Sequence, residues 1–152
     1  MVEDQPPPEN GSTSFVHRTE RGELSMWLAA PTVLVFKYRG YSDATYLPFI
    51  EGVYERTLAT KQGPRAIFVD CEEQTGYDSA FRAGIADWSK RIALPQTYCL
   101  FVKSRFVAMG IAIVRLAVGL PGEHAEVVTQ RVAFRAKLEA AVQKSRALQA
   151  SA

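Results

Sequence analysis

The stretch that most constrains the fold of this chain runs from Arg65 to Ile92. It begins with Ala66 to Val69, a run that is apolar at every position, and this run ends in Asp70. A continuous apolar run suits a parallel strand that is covered on both faces. In open α/β sheets, ligand and switch sites collect at the carboxyl ends of such strands. We therefore expect the polar residues Cys71 to Asp78 to form an exposed functional loop, and an amphipathic helix to open near Ser79.

Strand and helix candidates alternate along the rest of the chain. The segment Phe15 to Leu24 predicts a hairpin-like first edge, and further strands are expected at 26–28, 33–38, 98–102 and 125–129. Apolar residues at helical spacing predict helices at 43–60, from 79 onward, at 104–118 and at 130–148. Glycine and proline within 62–64, and Leu94-Pro95, should end the first two helices. The third helix is apolar nearly all round, so it should be largely buried or lie in an interface.

This order indicates one α/β domain with a mainly parallel sheet, an N-terminal hairpin and about four helices. The domain should span residues 15–149, after a polar, proline-containing tail at 1–14 that is too poor in apolar residues to fold. Trp88 lies on the single apolar stripe of the second helix and is expected in the core.

Composition excludes several classes of protein. The net charge of +2 is too small to indicate a nucleic-acid binder. The apolar run Phe106 to Leu120 is shorter than the roughly 20 residues of a membrane-spanning helix. Cys71 and Cys99 are the two cysteines, which favours reduced thiols and a cytoplasmic protein. His17 and His124 lie far apart in the chain, and no catalytic or metal-binding signature is present, so we expect no enzyme, cofactor or metal.

Asp70 closes an apolar strand, and Asp78 and Ser79 stand together where the next helix should open. This arrangement, with the order of elements from Met26 to Leu148, resembles the STAS family of sulfate-transporter cytoplasmic domains and anti-sigma-factor antagonists. It is especially similar to bacterial STAS-like proteins of the anti-sigma-antagonist or Sec14-like type. In the antagonists, a strand ending in Asp or Asn is followed by a variable loop and an Asp-Ser pair that opens a helix. The resemblance implies that Ser79 stands where antagonists carry the serine that a partner kinase phosphorylates.

The residues themselves support two interpretations of this corner. A phosphate on Ser79 would be favoured by the unpaired N–H groups and partial positive charge of a helix N-terminus. Asp78 and Ser79 could instead both be simple helix caps. The residues expected to form the binding surface are Asp70, Glu72, Glu73, Tyr77, Asp78 and Arg82. Asp70, Tyr77, Arg82 and Trp88 could form a polar cluster there, with Arg82 paired to Asp70 or Glu73.

We thus expect a non-enzymatic regulatory or adaptor domain that acts by protein–protein interaction, with Ser79 either a phospho-switch of an antagonist or only a helix cap. Its partner would be a protein such as a kinase or an anti-sigma-like regulator, and the apolar third helix could form a homodimer. The alternative function is a small-molecule or lipid carrier of Sec14-like type, in which the first and third helices part over an apolar pocket.

Overall fold

The computed structural model describes residues 14–58, 66–92, 97–118 and 125–151. The tail predicted at 1–14 lies outside this part of the chain except for Ser14. The helix ends predicted at 62–64 and 94–95, and His124, also lie outside it.

A six-stranded sheet forms the centre of the fold, and its strands lie in the same order in space as in the sequence. The first three strands are antiparallel, whereas the third to sixth run parallel. This confirms the mainly parallel sheet with an N-terminal hairpin. The strands are β1 (Phe15–Arg18), β2 (Gly22–Ala30), β3 (Val33–Ser42), β4 (Ala66–Tyr77), β5 (Thr97–Phe101) and β6 (Ala125–Val128).

Four helices are described, each within three residues of its predicted start. They are α1 (Tyr46–Leu58), α2 (Ser79–Ile92), α3 (Arg105–Val118) and α4 (Arg131–Ala150). The first begins later than predicted because the Asp43 carboxylate accepts hydrogen bonds from the backbone N–H and the hydroxyl of Thr45. This local turn holds the chain out of helical conformation just before α1. No described helix combines the length and apolarity that crossing a bilayer requires.

The sheet has a separate apolar core on each face. Alternate residues of the strands, such as Phe36 and Ile67, face α1, α2 and α3. Their neighbours in the strands, such as Phe68, face α4. Trp88 is buried in the first core, as predicted, with its ring centroid 5.3 Å from that of Tyr54. Helices α1, α2 and α3 therefore cover one face of the sheet, and α4 covers the other.

The fourth strand is longer than the sequence predicted. The prediction of a loop at Cys71 to Asp78 is wrong, because most of these residues belong to β4. Strand β4 continues to Tyr77 because β3 also continues, to Ser42, and supplies it with backbone partners. Strand β3 also extends beyond the predicted range 33–38 and passes through Gly40 with φ of 68°. This left-handed conformation suits glycine, and an added Cβ would lie 2.4 Å from the Arg21 carbonyl oxygen.

Helix α3 is buried on one side only. Val107 and Gly110 face inward, whereas Phe106, Met109 and Ile113 are exposed at 50%, 52% and 40%. The expectation of a largely buried helix is therefore wrong for this side. An exposed row of large apolar residues is the arrangement that the alternative expectation, an interface, requires.

Candidate functional site

The junction between β4 and α2 lies at the carboxyl end of the parallel sheet. Asp78 is the residue before α2, and its Oδ1 accepts a hydrogen bond of 2.7 Å from the backbone N–H of Phe81. Its own N–H donates to the carbonyl oxygen of Ser42 at 3.1 Å, which fixes the junction to the end of β3. Asp78 is thus the N-cap of α2. Ser79 is the first helical residue, and its side chain is exposed.

Two acids of the predicted binding surface are paired within the chain. Asp70 is buried in mid-strand, and its Oδ2 lies 3.3 Å from the guanidinium of Arg131 at the start of α4. Arg131 also pairs with Glu72, and the Lys103 ammonium lies 3.0 Å from the other oxygen of that carboxylate. These bases neutralise the acidic corner, so Asp70 and Glu72 connect β4 to α4 rather than face solvent unpaired.

Glu73 lies on the exposed surface of the β3–β4 pair. Its carboxylate is 3.1 Å from Arg39 Nε and 3.9 Å from Lys37 Nζ. Exposed ion pairs of this kind contribute little to stability. Their effect is to balance the charge along the extended part of β4.

Tyr77 attaches the end of β4 to α3. Its hydroxyl donates to the carbonyl oxygen of Phe106 at 3.2 Å, and the two rings stack with centroids 4.9 Å apart. The hydroxyl also occupies the space beside Gly110, where an added Cβ would lie 2.3 Å from Tyr77 Oη. Because Tyr77 lies two residues before Ser79, this contact holds the first turn of α3, with Phe106, near the start of α2.

The predicted polar cluster of Asp70, Tyr77, Arg82 and Trp88 does not form. Asp70 binds Arg131, Tyr77 contacts α3, and Trp88 lies in the core. The pairing of Arg82 with Asp70 or Glu73 is also wrong. Within the described part of the chain, the Arg82 side chain makes no hydrogen bond or ion pair, although it lies partly buried between α2 and α3.

An apolar cavity of about 130 Å³ lies between α2, α3 and the sheet, within a groove of about 860 Å³ when its solvent-open part is included. Its floor is formed by β3, β4 and β5 with Ala125 of β6, and none of its lining residues belongs to α1. The carrier alternative placed a pocket beneath the first and third helices, and this placement is wrong because the cavity lies beneath the second and third. The cavity could not be located from the sequence because its walls come from segments far apart in the chain.

The thiols of the two cysteines are unsuited to nucleophilic chemistry. Both are free and buried. Burial, and to a lesser degree the Asp70 carboxylate, raises the pKa of the Cys71 thiol far above its ordinary value. Burial also raises the pKa of Cys99 to about 11. Since the thiolate is the reactive form, neither cysteine is activated.

The described histidine has a structural environment. His17 Nε2 lies 3.0 Å from Thr45 Oγ1, and its ring stacks on Phe49. Throughout the described ranges, no three His, Cys, Asp or Glu side chains gather closely enough to hold a metal ion.

Two solved structures with this architecture are anti-sigma factor antagonists. One is SpoIIAA in its unphosphorylated form, with a TM-score of 0.54 and 10% sequence identity over 81% of this chain and 97% of that one. The other is an anti-sigma factor antagonist from Mycobacterium paratuberculosis, with a TM-score of 0.51 and 12% identity over 87% of this chain and 97% of that one. No protein-family model matches the sequence, and no curated protein matches it significantly. The chain has a STAS-like fold.

Proposed function

We propose that the protein is a non-enzymatic regulatory domain that binds a protein partner. The observation that carries this proposal is the exposed apolar side of α3, formed by Phe106, Met109 and Ile113. Together with the exposed Ser79 at the start of α2, we call these residues the α2–α3 surface. The Tyr77–Phe106 stack joins the two parts. The shared fold with anti-sigma factor antagonists supports a regulatory role for this surface.

The composition of the α2–α3 surface suits protein recognition. Aromatic residues and methionine are enriched in the centres of protein interfaces, whereas scattered single apolar residues need no explanation. Met109 and Ile113 follow Phe106 by three and seven positions, so the three lie in one row along the helix. A partner that covers this row would remove apolar surface from water, which is the main favourable contribution to association.

The start of α2 offers a means of regulating such a partner. A phosphate on Ser79 would lie at the positive end of the helix and beside Arg82, three residues on and on the same helix face. Arg82 could then form a charge-assisted pair with the phosphate. The capping role of Asp78 leaves the Ser79 hydroxyl free for modification. The phosphorylating enzyme would be a partner kinase, and the free thiols of Cys71 and Cys99 suit a cytoplasmic setting.

Affinity capture with matched baits tests partner binding. Met109→Lys places a charge in the centre of the α2–α3 surface, whereas Val132→Lys places the same charge on α4, where Val132 is 81% exposed. Both variants should fold, because both positions are solvent-accessible. We expect the wild-type and Val132→Lys baits to capture a partner protein that the Met109→Lys bait does not capture.

Recovery of the same proteins by all three baits would contradict the proposal. A second copy of this chain as the retained protein would make the surface a homodimer interface. Light scattering of the purified protein should then show a dimer for wild type and Val132→Lys, and a monomer for Met109→Lys.

A further inference from the structure

The cavity between α2 and α3 has the walls of a ligand site. Its floor is made of apolar strand residues such as Ile67 and Leu100, and Trp88 and Ile111 are among the residues that form the helix walls. Protein interiors are close-packed, and voids larger than a water molecule are few. An engineered apolar cavity of about 150 Å³ stays dry and binds benzene. A cavity of about 130 Å³ therefore has room for a hydrocarbon group of similar size.

The polar side chains that line this mostly apolar groove include Gln74, Ser89 and two arginines. Arg82 lies in the first turn of α2 and Arg115 in the last turn of α3. Because both helices follow parallel strands, these turns lie at opposite ends of the groove. In the described part of the chain, neither side chain makes an ion pair or a hydrogen bond. A cation in the last turn of a helix is stabilised by the helix dipole, which accounts for Arg115.

The helix dipole gives no such reason for Arg82. A positive charge in the first turn of a helix is unfavourable. Asp78, four residues earlier, directs its carboxylate to the N–H of Phe81 and does not pair with Arg82. Among the residues that the structure describes, Arg82 is thus a partly buried cation without an ion pair at the edge of the groove. An anion placed there would also meet the positive end of α2.

We propose that this groove binds a linear amphipathic carboxylate, a medium-chain fatty acid, with its tail in the cavity and its carboxylate on Arg82. The tail would contact the apolar lining of the cavity, and the guanidinium can bind the carboxylate through two parallel hydrogen bonds. The site is separate from the exposed row of α3, because Phe106, Met109 and Ile113 do not line it.

The two tryptophans of the protein provide a signal for ligand binding and an internal control. Trp88 lines the cavity, whereas Trp27 packs on the other face of the sheet, toward α4. Each gives one indole N–H signal in a ¹H–¹⁵N spectrum. Titration with octanoate should shift the Trp88 signal saturably and leave the Trp27 signal in place. In a series from butanoate to decanoate, affinity should rise by roughly fourfold per methylene until the groove is full.

Matched variants assign the two ends of the ligand. Arg82→Gln should weaken octanoate binding by roughly tenfold or more, since it removes a charge-assisted hydrogen bond. Arg115→Gln should leave the affinity within about twofold, because a charge at the far end contributes little. Octan-1-ol should bind wild type more weakly than octanoate does, and should bind Arg82→Gln as it binds wild type. Val114→Phe, which fills the groove from α3, should abolish the shift of the Trp88 signal with octanoate and with octan-1-ol.

Several results would overturn the proposal. These are no Trp88 shift at millimolar octanoate, equal shifts of both indoles, or an affinity for octanoate that Arg82→Gln leaves unchanged. An unchanged Trp27 signal in each variant shows that the fold is retained, so a lost Trp88 response reports on the site. Failure to bind octanoate would leave partner capture by the exposed row of α3 unaffected, because that row does not line the groove.

Discussion

At the scale of single residues, Asp78 and Ser79 have different roles at the start of α2, which the sequence alone did not distinguish. The sequence placed both at the opening of a helix, and α2 does begin at Ser79. Only Asp78 caps that helix, through the N–H of Phe81. A cap needs a residue in extended conformation just outside the helix, and Ser79 already lies inside it. The interpretation of both residues as caps is therefore wrong for Ser79.

The exposure of Ser79 leads to a prediction about charge at this position. Ser79→Asp adds a negative charge at the positive end of α2, so the melting temperature should stay within a few degrees of wild type or rise slightly. Binding of the captured partner should change, because the same charge alters the α2–α3 surface and can attract Arg82. Ser79→Ala is the matched control and should bind as unphosphorylated wild type does. Equal partner affinities for all three proteins, measured by calorimetry, would contradict regulation by phosphorylation of Ser79.

Ion pairs could not be predicted at this scale because they join distant parts of the chain. Arg131 lies 61 positions after Asp70, and only the packing of α4 against the sheet brings them together. A local reading offered Arg82 as the partner because it is near Asp70 in the sequence. The sequence contains no signal that distinguishes the two arginines, since both begin or nearly begin a helix.

At the scale of elements, the sequence predicted the existence and type of each described strand and helix better than their ends. Local periodicity is sufficient for α2, whose apolar residues recur on one face. The end of β4 depends instead on whether β3 continues beside it. The residues from Glu72 to Tyr77 are mostly polar because this part of β4 pairs with β3 alone, whereas β5 pairs with β4 only as far as Asp70. The sequence pattern therefore resembled a loop.

Two helical glycines test the attachment of α3 to β4. Gly52→Ala in α1 meets nothing within 4 Å, so it should raise the free energy of unfolding by up to about 1 kcal/mol through helix propensity. Gly110→Ala in α3 should instead lower it by about 1 kcal/mol, because its Cβ displaces the Tyr77 hydroxyl and disturbs the stack on Phe106. Urea unfolding measures both. Equal gains in stability would mean that Tyr77 does not hold α3.

At the scale of the whole molecule, the two faces of the sheet differ in how completely they are packed. The face with α4 is closed by apolar packing and by the Asp70–Arg131 pair. The other face contains the cavity. The side chains that line this solvent-open groove lack apolar partners on one side until something fills it. A protein of marginal stability retains such a space more readily when a ligand fills it.

The overall architecture could be predicted, whereas the cavity could not. Alternating strands and helices, with right-handed crossovers, leave few topologies for a chain of this length. The volume left between α2 and α3 depends on side chains such as Trp88 and Ile111, and on how closely Gly110 lets α3 approach Tyr77. Arg82 connects the two proposals, since a phosphate on Ser79 and a carboxylate in the groove would compete for its guanidinium.

Hydrogen–deuterium exchange on the complex with the captured partner tests the central claim most directly. We expect slower exchange in the first turns of α2 and along the exposed row of α3, at residues 79–85 and 105–115, with no change in α4. Slower exchange confined to α4 or to β1 and β2, with residues 105–115 exchanging as in the free protein, would contradict the account.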